Sequence, residues 1–208
     1  MTAPPRRSRR AAALTVVVSL ALCGVALGAL WSWMAPSIHT VTVLTRRGDR
    51  VDAFLGTESD NLFVAAATLI GLLSMLAIVS AVLVWQWRPH RGPLLVTALW
   101  VGQVFAGAAA AGVGAALAHW RYGTADHQGV PLSPENRVHY FTEAPPVFLG
   151  HSPFQIALTL LLPAALAALT YAVMAVATPQ DDLDAWPPEG PAGFAAGHHT
   201  GVRTTTGI

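Results

Sequence analysis

LLVTALWVGQVFAGAAAAGVGAALA, from Leu94 to Ala118, decides the fold. It contains no acid, no base and no histidine. A bilayer core about 30 Å thick needs ~20 apolar residues in helix, and this stretch is long enough to cross it. In hydrocarbon the backbone must satisfy its own hydrogen bonds, so helix is the economical reading. Small residues crowd its second half: Gly107, Ala108, Ala111, Gly112, Gly114, Ala115 and Ala118. Lipid tails are as apolar as leucine, so helices in a membrane associate by close packing, which small side chains permit.

Working outward, three more stretches share this character. They run from about 11 to 34, 62 to 85 and 154 to 177, again without Asp, Glu, Arg or His. The composition agrees, with 53% hydrophobic and 11% charged residues. Soluble domains carry about 25% charged residues. A chain of this size cannot hide so much apolar surface in a core of its own. The surplus is expected to face lipid.

The first span follows Arg6, Arg7, Arg9 and Arg10. Its apolar run is longer than the 7–15 residues of a secretory signal, and no clean small-x-small cleavage site follows. An uncleaved anchor is expected. Arginine placement sets the orientation, because cytoplasmic segments collect basic residues. The N-terminal tail and the short turn 86–93, with Arg88 and Arg91, are basic, whereas the loops 35–61 and 119–153 each carry a net −1. Both termini are therefore expected inside the inner membrane, with the two long loops outside. Trp31, Trp33, Trp120 and Tyr122 at one end and Trp85 and Trp87 at the other suit the headgroup levels. Trp100 lies inside the third span and breaks this pattern.

The loop 35–61 reads as a hairpin. Thr40 to Val43 alternates polar and apolar residues, Arg46-Arg47-Gly48-Asp49 makes a turn, and Val51 to Leu55 returns. A further strand is expected at Arg137 to Thr142, so both loops could share one small external sheet. The fold class is an all-α membrane protein, a four-helix transmembrane bundle with a small external β-hairpin and loop layer. Residues 1–178 form the membrane domain. Residues 179–208, rich in Pro, Gly and Asp, are expected to be a disordered cytoplasmic tail.

Chemistry is scarce. The lone Cys23 excludes an internal disulfide and a cysteine-based metal site. No phosphate loop, dinucleotide fingerprint or nucleophile elbow is present. His39, His119, His127, His139 and His151 fall in the long loops, but their spacing with Asp126 or Glu143 matches no compact metal motif. No enzyme activity, cofactor, metal or nucleic-acid partner is expected. Transporters coupled to ions usually carry ionisable groups within their spans, and here Gln103 is the strongest polar group. The candidate helix-packing or partner contacts are Gly24 and Gly28 (a GxxxG pair), Gln103, Gly107, Ala111, Gly112, Gly114 and Pro163. Pro163 frees the carbonyl of Thr159 and is expected to kink the fourth span.

The Arg-rich start before Ala11, the hairpin from Thr40 to Leu55, the turn from Trp85 to Pro89 and the loop from Arg137 to Gly150 carry a resemblance. The chain resembles an actinobacterial family of small four-span membrane proteins of unknown function, over about Arg6 to Thr178. It is also similar in plan to accessory subunits of mycobacterial mammalian-cell-entry (Mce) lipid importers. That resemblance implies binding to other integral membrane subunits, namely the permease and ATPase assembly of a lipid importer, in contact with membrane lipid. The runner-up is a stand-alone carrier or channel for a neutral or lipidic molecule, with a pore lined by Gln103, Thr97 and Thr170.

Overall fold

The computed structural model describes residues 8–123, 126–133 and 135–178. Four long helices dominate: α1 (Arg9–Met34), α2 (Ser59–Gln86), α3 (Pro93–Tyr122) and α4 (Pro153–Val176). All four are long and apolar enough to cross a membrane. Each extends within a few residues of the stretch expected from hydropathy. The tail expected at 179–208 lies outside the described residues.

Helix ends follow local chemistry. Ser8 caps α1 by accepting from the Ala11 amide. Ser152 and Gln155 form a reciprocal capping box at α4, with Pro153 in the first turn, where a missing N–H costs nothing. Gly123 ends α3 at φ +73°, a conformation that glycine adopts without a Cβ penalty. Between α2 and α3 the chain turns through a single 3-10 turn at Arg88–His90. Arg91 folds back there: its Nε donates to the Trp85 carbonyl at 2.8 Å, and its guanidinium lies 4.2 Å from the Trp85 ring centre. Trp85 in turn meets Tyr171 of α4 edge-on at 5.0 Å.

The strands β1 (Ile38–Leu44), β2 (Arg50–Phe54) and β3 (Val138–Glu143) form one antiparallel sheet in the order β2-β1-β3. β1 and β2 join α1 to α2, and β3 lies between α3 and α4. The two long loops thus build one layer at one end of the bundle. Gly48 takes φ +89° in the hairpin turn, where Thr45 accepts from the Asp49 amide through Oγ1. The Arg47-Gly48-Asp49 tripeptide is accounted for by that turn.

α3 is the central helix. Half of its most apolar window is buried, against 22–28% for the other three helices. α1 runs beside it, and the closeness rests on glycine. A Cβ at Gly24 would fall on the backbone of Ala106, and one at Gly28 would come within 3 Å of the Ala110 backbone. The seam continues with Leu20 against Gly102 below and Trp31 against Gly114 above. Contacts advance by four residues on both helices, so the packing is parallel, as two passes of the same direction require. On α3 the stripe Gly102, Ala106, Ala110, Gly114 and Ala118 is buried throughout. α4 packs against α2 and α3, while α1 touches α2 only lightly.

α4 runs unbroken through Pro163, and both Pro163 and Thr159 are fully buried in its packed face. The Thr159 hydroxyl donates to the Gln155 carbonyl at 3.0 Å. Gly112 differs from the other candidate glycines. It is exposed, and a Cβ there would meet nothing within 4 Å.

These placements set a sharp contrast between two substitutions. Gly24→Leu forces α1 and α3 apart and is expected to cost about 3 kcal/mol or more, at the upper end of overpacking penalties. Gly112→Leu is expected to change stability by no more than about 0.5 kcal/mol. Unfolding of both variants in detergent, followed by helicity, checks this. Equal losses would mean that the seam is misassigned.

Candidate functional site

Three places in the described residues bring polar or partner-ready groups together. The first is the bundle centre. Gln103 is fully buried, and its Nε2 donates to Ser80 Oγ of α2 at 2.7 Å. Ser80 itself donates to the Ala77 carbonyl at 3.0 Å. The Gln103 Oε1 has no hydrogen-bond partner among the described residues. Hydrogen bonds between membrane helices average about 0.6 kcal/mol, so this pair is modest glue.

Thr97 and Thr170 do not join Gln103 in a pore. Each turns its hydroxyl onto its own helix, Thr97 to the Leu94 carbonyl and Thr170 to the Leu166 carbonyl. Thr97 faces outward. Sequence alone could not separate them, because a hydroxyl in hydrocarbon bonds its own backbone wherever it points.

The second place is the sheet. Thr40 and Thr42 point from β1 into a buried position that the loop before β3 covers. His127 of that loop presents Nε2 to Glu143 Oε1 at 2.8 Å, and Glu143 also accepts from the Thr40 hydroxyl. On its other side Nδ1 lies 3.1 Å from Thr42 Oγ1, which donates to Asp52 Oδ1 at 2.6 Å. The ring rests on Phe141 at 4.6 Å. Arg50 fixes the same loop from outside by donating to the carbonyls of His127, Gln128 and Val130.

His39 has a separate partner, Glu58, with Nδ1 to Oε2 at 2.8 Å. His119 bonds its own helix at the Ala115 carbonyl. His139 sits edge-on to Phe141 at 4.8 Å. The five loop histidines are therefore spread out rather than pooled. Among the described residues no three His, Cys, Asp or Glu side chains form a group able to hold a metal ion. The His127 cluster ties loop to sheet around the buried Thr42. Its members are far apart in sequence, at 40, 42, 52, 127 and 143, and no spacing rule reveals them.

The third place is the outer face of α3. Trp100, Ala108, Gly112, Ala116 and Trp120 are exposed, with half-buried Val104 completing the four-residue step. This stripe lies two residues, and so roughly 200°, around the helix from the seam that binds α1. Trp120 is 86% exposed. Of the candidate contacts, Gly24, Gly28 and Gly114 belong to the α1 seam. Gly107 faces Leu160 of α4, and Ala111 is buried in the core around Trp31. Gly112 alone among them belongs to the outer stripe. Trp31 is not a belt residue. It is fully buried, and its indole N–H donates to the Ala65 carbonyl of α2 at 2.7 Å.

Four membrane-length helices with apolar outer faces mark a multi-pass membrane protein. The chain belongs to the DUF2567 family, a protein family of unknown function whose model matches residues 20–185. It is 49% identical to the uncharacterised protein Rv1591 of Mycobacterium tuberculosis (strain ATCC 25618 / H37Rv) over 180 residues, 86% of this chain and 93% of that one. It is 48% identical to the uncharacterised protein ML1222 of Mycobacterium leprae (strain TN) over 168 residues, 81% and 85% of the two chains. No solved structure matches the chain.

Two substitutions probe the polar clusters. Gln103→Leu removes one hydrogen bond together with an unpartnered carbonyl, while Ser80 keeps its bond to Ala77. Stability is expected to stay within about 1 kcal/mol of the wild type, measured by unfolding in detergent. His127→Ala frees the loop, and amide exchange across β3 is expected to rise by roughly tenfold, matching about 1.4 kcal/mol of lost local protection. Unchanged exchange in His127→Ala would assign the tether to Arg50 alone.

Proposed function

We propose that this protein is a non-enzymatic accessory subunit of a multi-protein inner-membrane complex, and that its partner helix docks on the outer stripe of α3. The observation that carries this reading is the exposed run Ala108, Gly112 and Ala116, framed by Trp100 and Trp120. Small residues at four-residue spacing let a second backbone approach closely. The same chain already uses such a stripe internally, at Gly102 to Ala118 against α1. A second one left open on the central helix suits a partner's helix better than lipid, which gains nothing from close backbone approach.

The complex we favour is an Mce-type lipid importer, with the permease subunits as the docking partner. This finer step rests on likeness in plan to the mycobacterial lipid uptake coordinator B, an accessory subunit of such an importer. In this reading both termini are cytoplasmic and the sheet is external. The arginines of the N-terminal tail and of the 86–93 turn support that orientation.

The test is purification of the tagged chain from native membranes in mild detergent, with mass spectrometry of what accompanies it. Permease, ATPase and Mce subunits are expected at stoichiometric level. Gly112→Leu is expected to lower their recovery about tenfold, the effect of ~1.4 kcal/mol, while leaving the bundle's own stability unchanged. Recovery of a different stable assembly would replace the importer and keep the docking stripe. Recovery of the chain alone in several detergents would move the reading to a stand-alone carrier.

A further inference from the structure

α1 and α2 do not stay together along their whole length. Near the sheet, Trp31 fills the space between them and bonds the Ala65 carbonyl. Toward the Arg9 end the α1 side is lined by Thr15, Val16, Ser19, Leu20 and Cys23, facing Leu76, Val79 and Leu83 of α2. A groove of about 260 Å³ remains there. Trp87 lines the end nearest the α2–α3 turn.

The groove has the dimensions of one leaflet. Thr15 to Cys23 covers about 12 Å of helix and Leu76 to Trp87 about 16 Å, at 1.5 Å per residue. Half of a ~30 Å hydrocarbon core is about 15 Å. It begins roughly 9 Å above Arg9, counted along the helix, and stops near the bilayer midplane. Arg9 stands in heptad register with Val16 and Cys23, both of which line the groove. Arg9 and Arg10 are exposed. At that end of the bundle no Asp or Glu occurs among the described residues. The position therefore offers an apolar slot one leaflet deep, beneath the exposed side chains of Arg9 and Arg10 at headgroup height.

We infer that this groove holds an acyl chain of an anionic phospholipid from the leaflet at the Arg9 end, with the phosphate at Arg9 and Arg10. A zwitterionic lipid fills the slot equally well but lacks the charge match. A partner helix is a poorer occupant, because the slot ends at mid-membrane. The outer stripe of α3 is a different surface, so this inference stands independently of the docking reading.

The test uses the full chain reconstituted in vesicles of equal parts phosphatidylglycerol and phosphatidylcholine, then extracted in mild detergent for lipid mass spectrometry. The wild type is expected to retain phosphatidylglycerol over phosphatidylcholine on the order of tenfold, since each basic residue near an anionic surface contributes about fivefold. Arg9→Gln with Arg10→Gln is expected to abolish that preference while lipid is still retained. Ser19→Trp, which fills the slot from its exposed side, is expected to lower total retention severalfold. Gly112→Leu, outside the groove, is expected to leave retention unchanged. Equal retention by the Ser19→Trp protein and the wild type, both with wild-type helicity, would overturn the inference. If Ser19→Trp fails to fold, Val79→Trp probes the same slot from α2. Cross-linking of Cys23 to another protein in native membranes would also overturn it, by showing a helix in the groove.

Discussion

The bundle depends on the direct approach of two backbones. Gly24 and Gly28 place α1 against the carbonyl-lined surface of α3 at Ala106 and Ala110, with no side chain between them. In water such a contact would be a small addition to hydrophobic burial. In lipid the surroundings are as apolar as the interior, so dispersion between closely fitted surfaces carries the association. Everything else hangs from this seam. α3 becomes central, α4 packs against both α2 and α3, and α1 touches α2 only lightly.

That geometry also explains where the polar groups lie. Among the described residues Gln103 is the one strongly polar side chain fully buried at the bundle centre, and its amide turns to Ser80. The charged and titratable groups collect instead at the two ends. At one end they bind a loop to a three-stranded sheet through His127, Glu143, Asp52 and Arg50. At the other, Arg91 returns to the end of α2 and stacks on Trp85.

Two surfaces remain open for function, and they differ in kind. The α3 stripe is flat, small and continuous along the helix, as helix-to-helix packing demands. The slot between α1 and α2 is short and ends at mid-membrane, as a single lipid chain demands.

The sequence by itself determined four helices, their approximate limits, a hairpin in the first long loop and a strand in the second. Hydropathy does this because each span must be apolar over a bilayer's thickness, and alternation marks a half-buried strand; both are local properties of the chain. It also identified small residues as the means of packing, with Gly24 and Gly28 as a pair. It could not sort the small residues of α3 into inner and outer stripes. In lipid both faces of a helix are apolar, so no contrast in polarity separates Gly114, which lies against Trp31, from Gly112, which meets nothing. Nor could it assign Trp31 to the core, part Gln103 from Thr97 and Thr170, or join His127 to Glu143 and Asp52. Those relations depend on which helix faces meet and which loops overlap, and only the tertiary structure decided them.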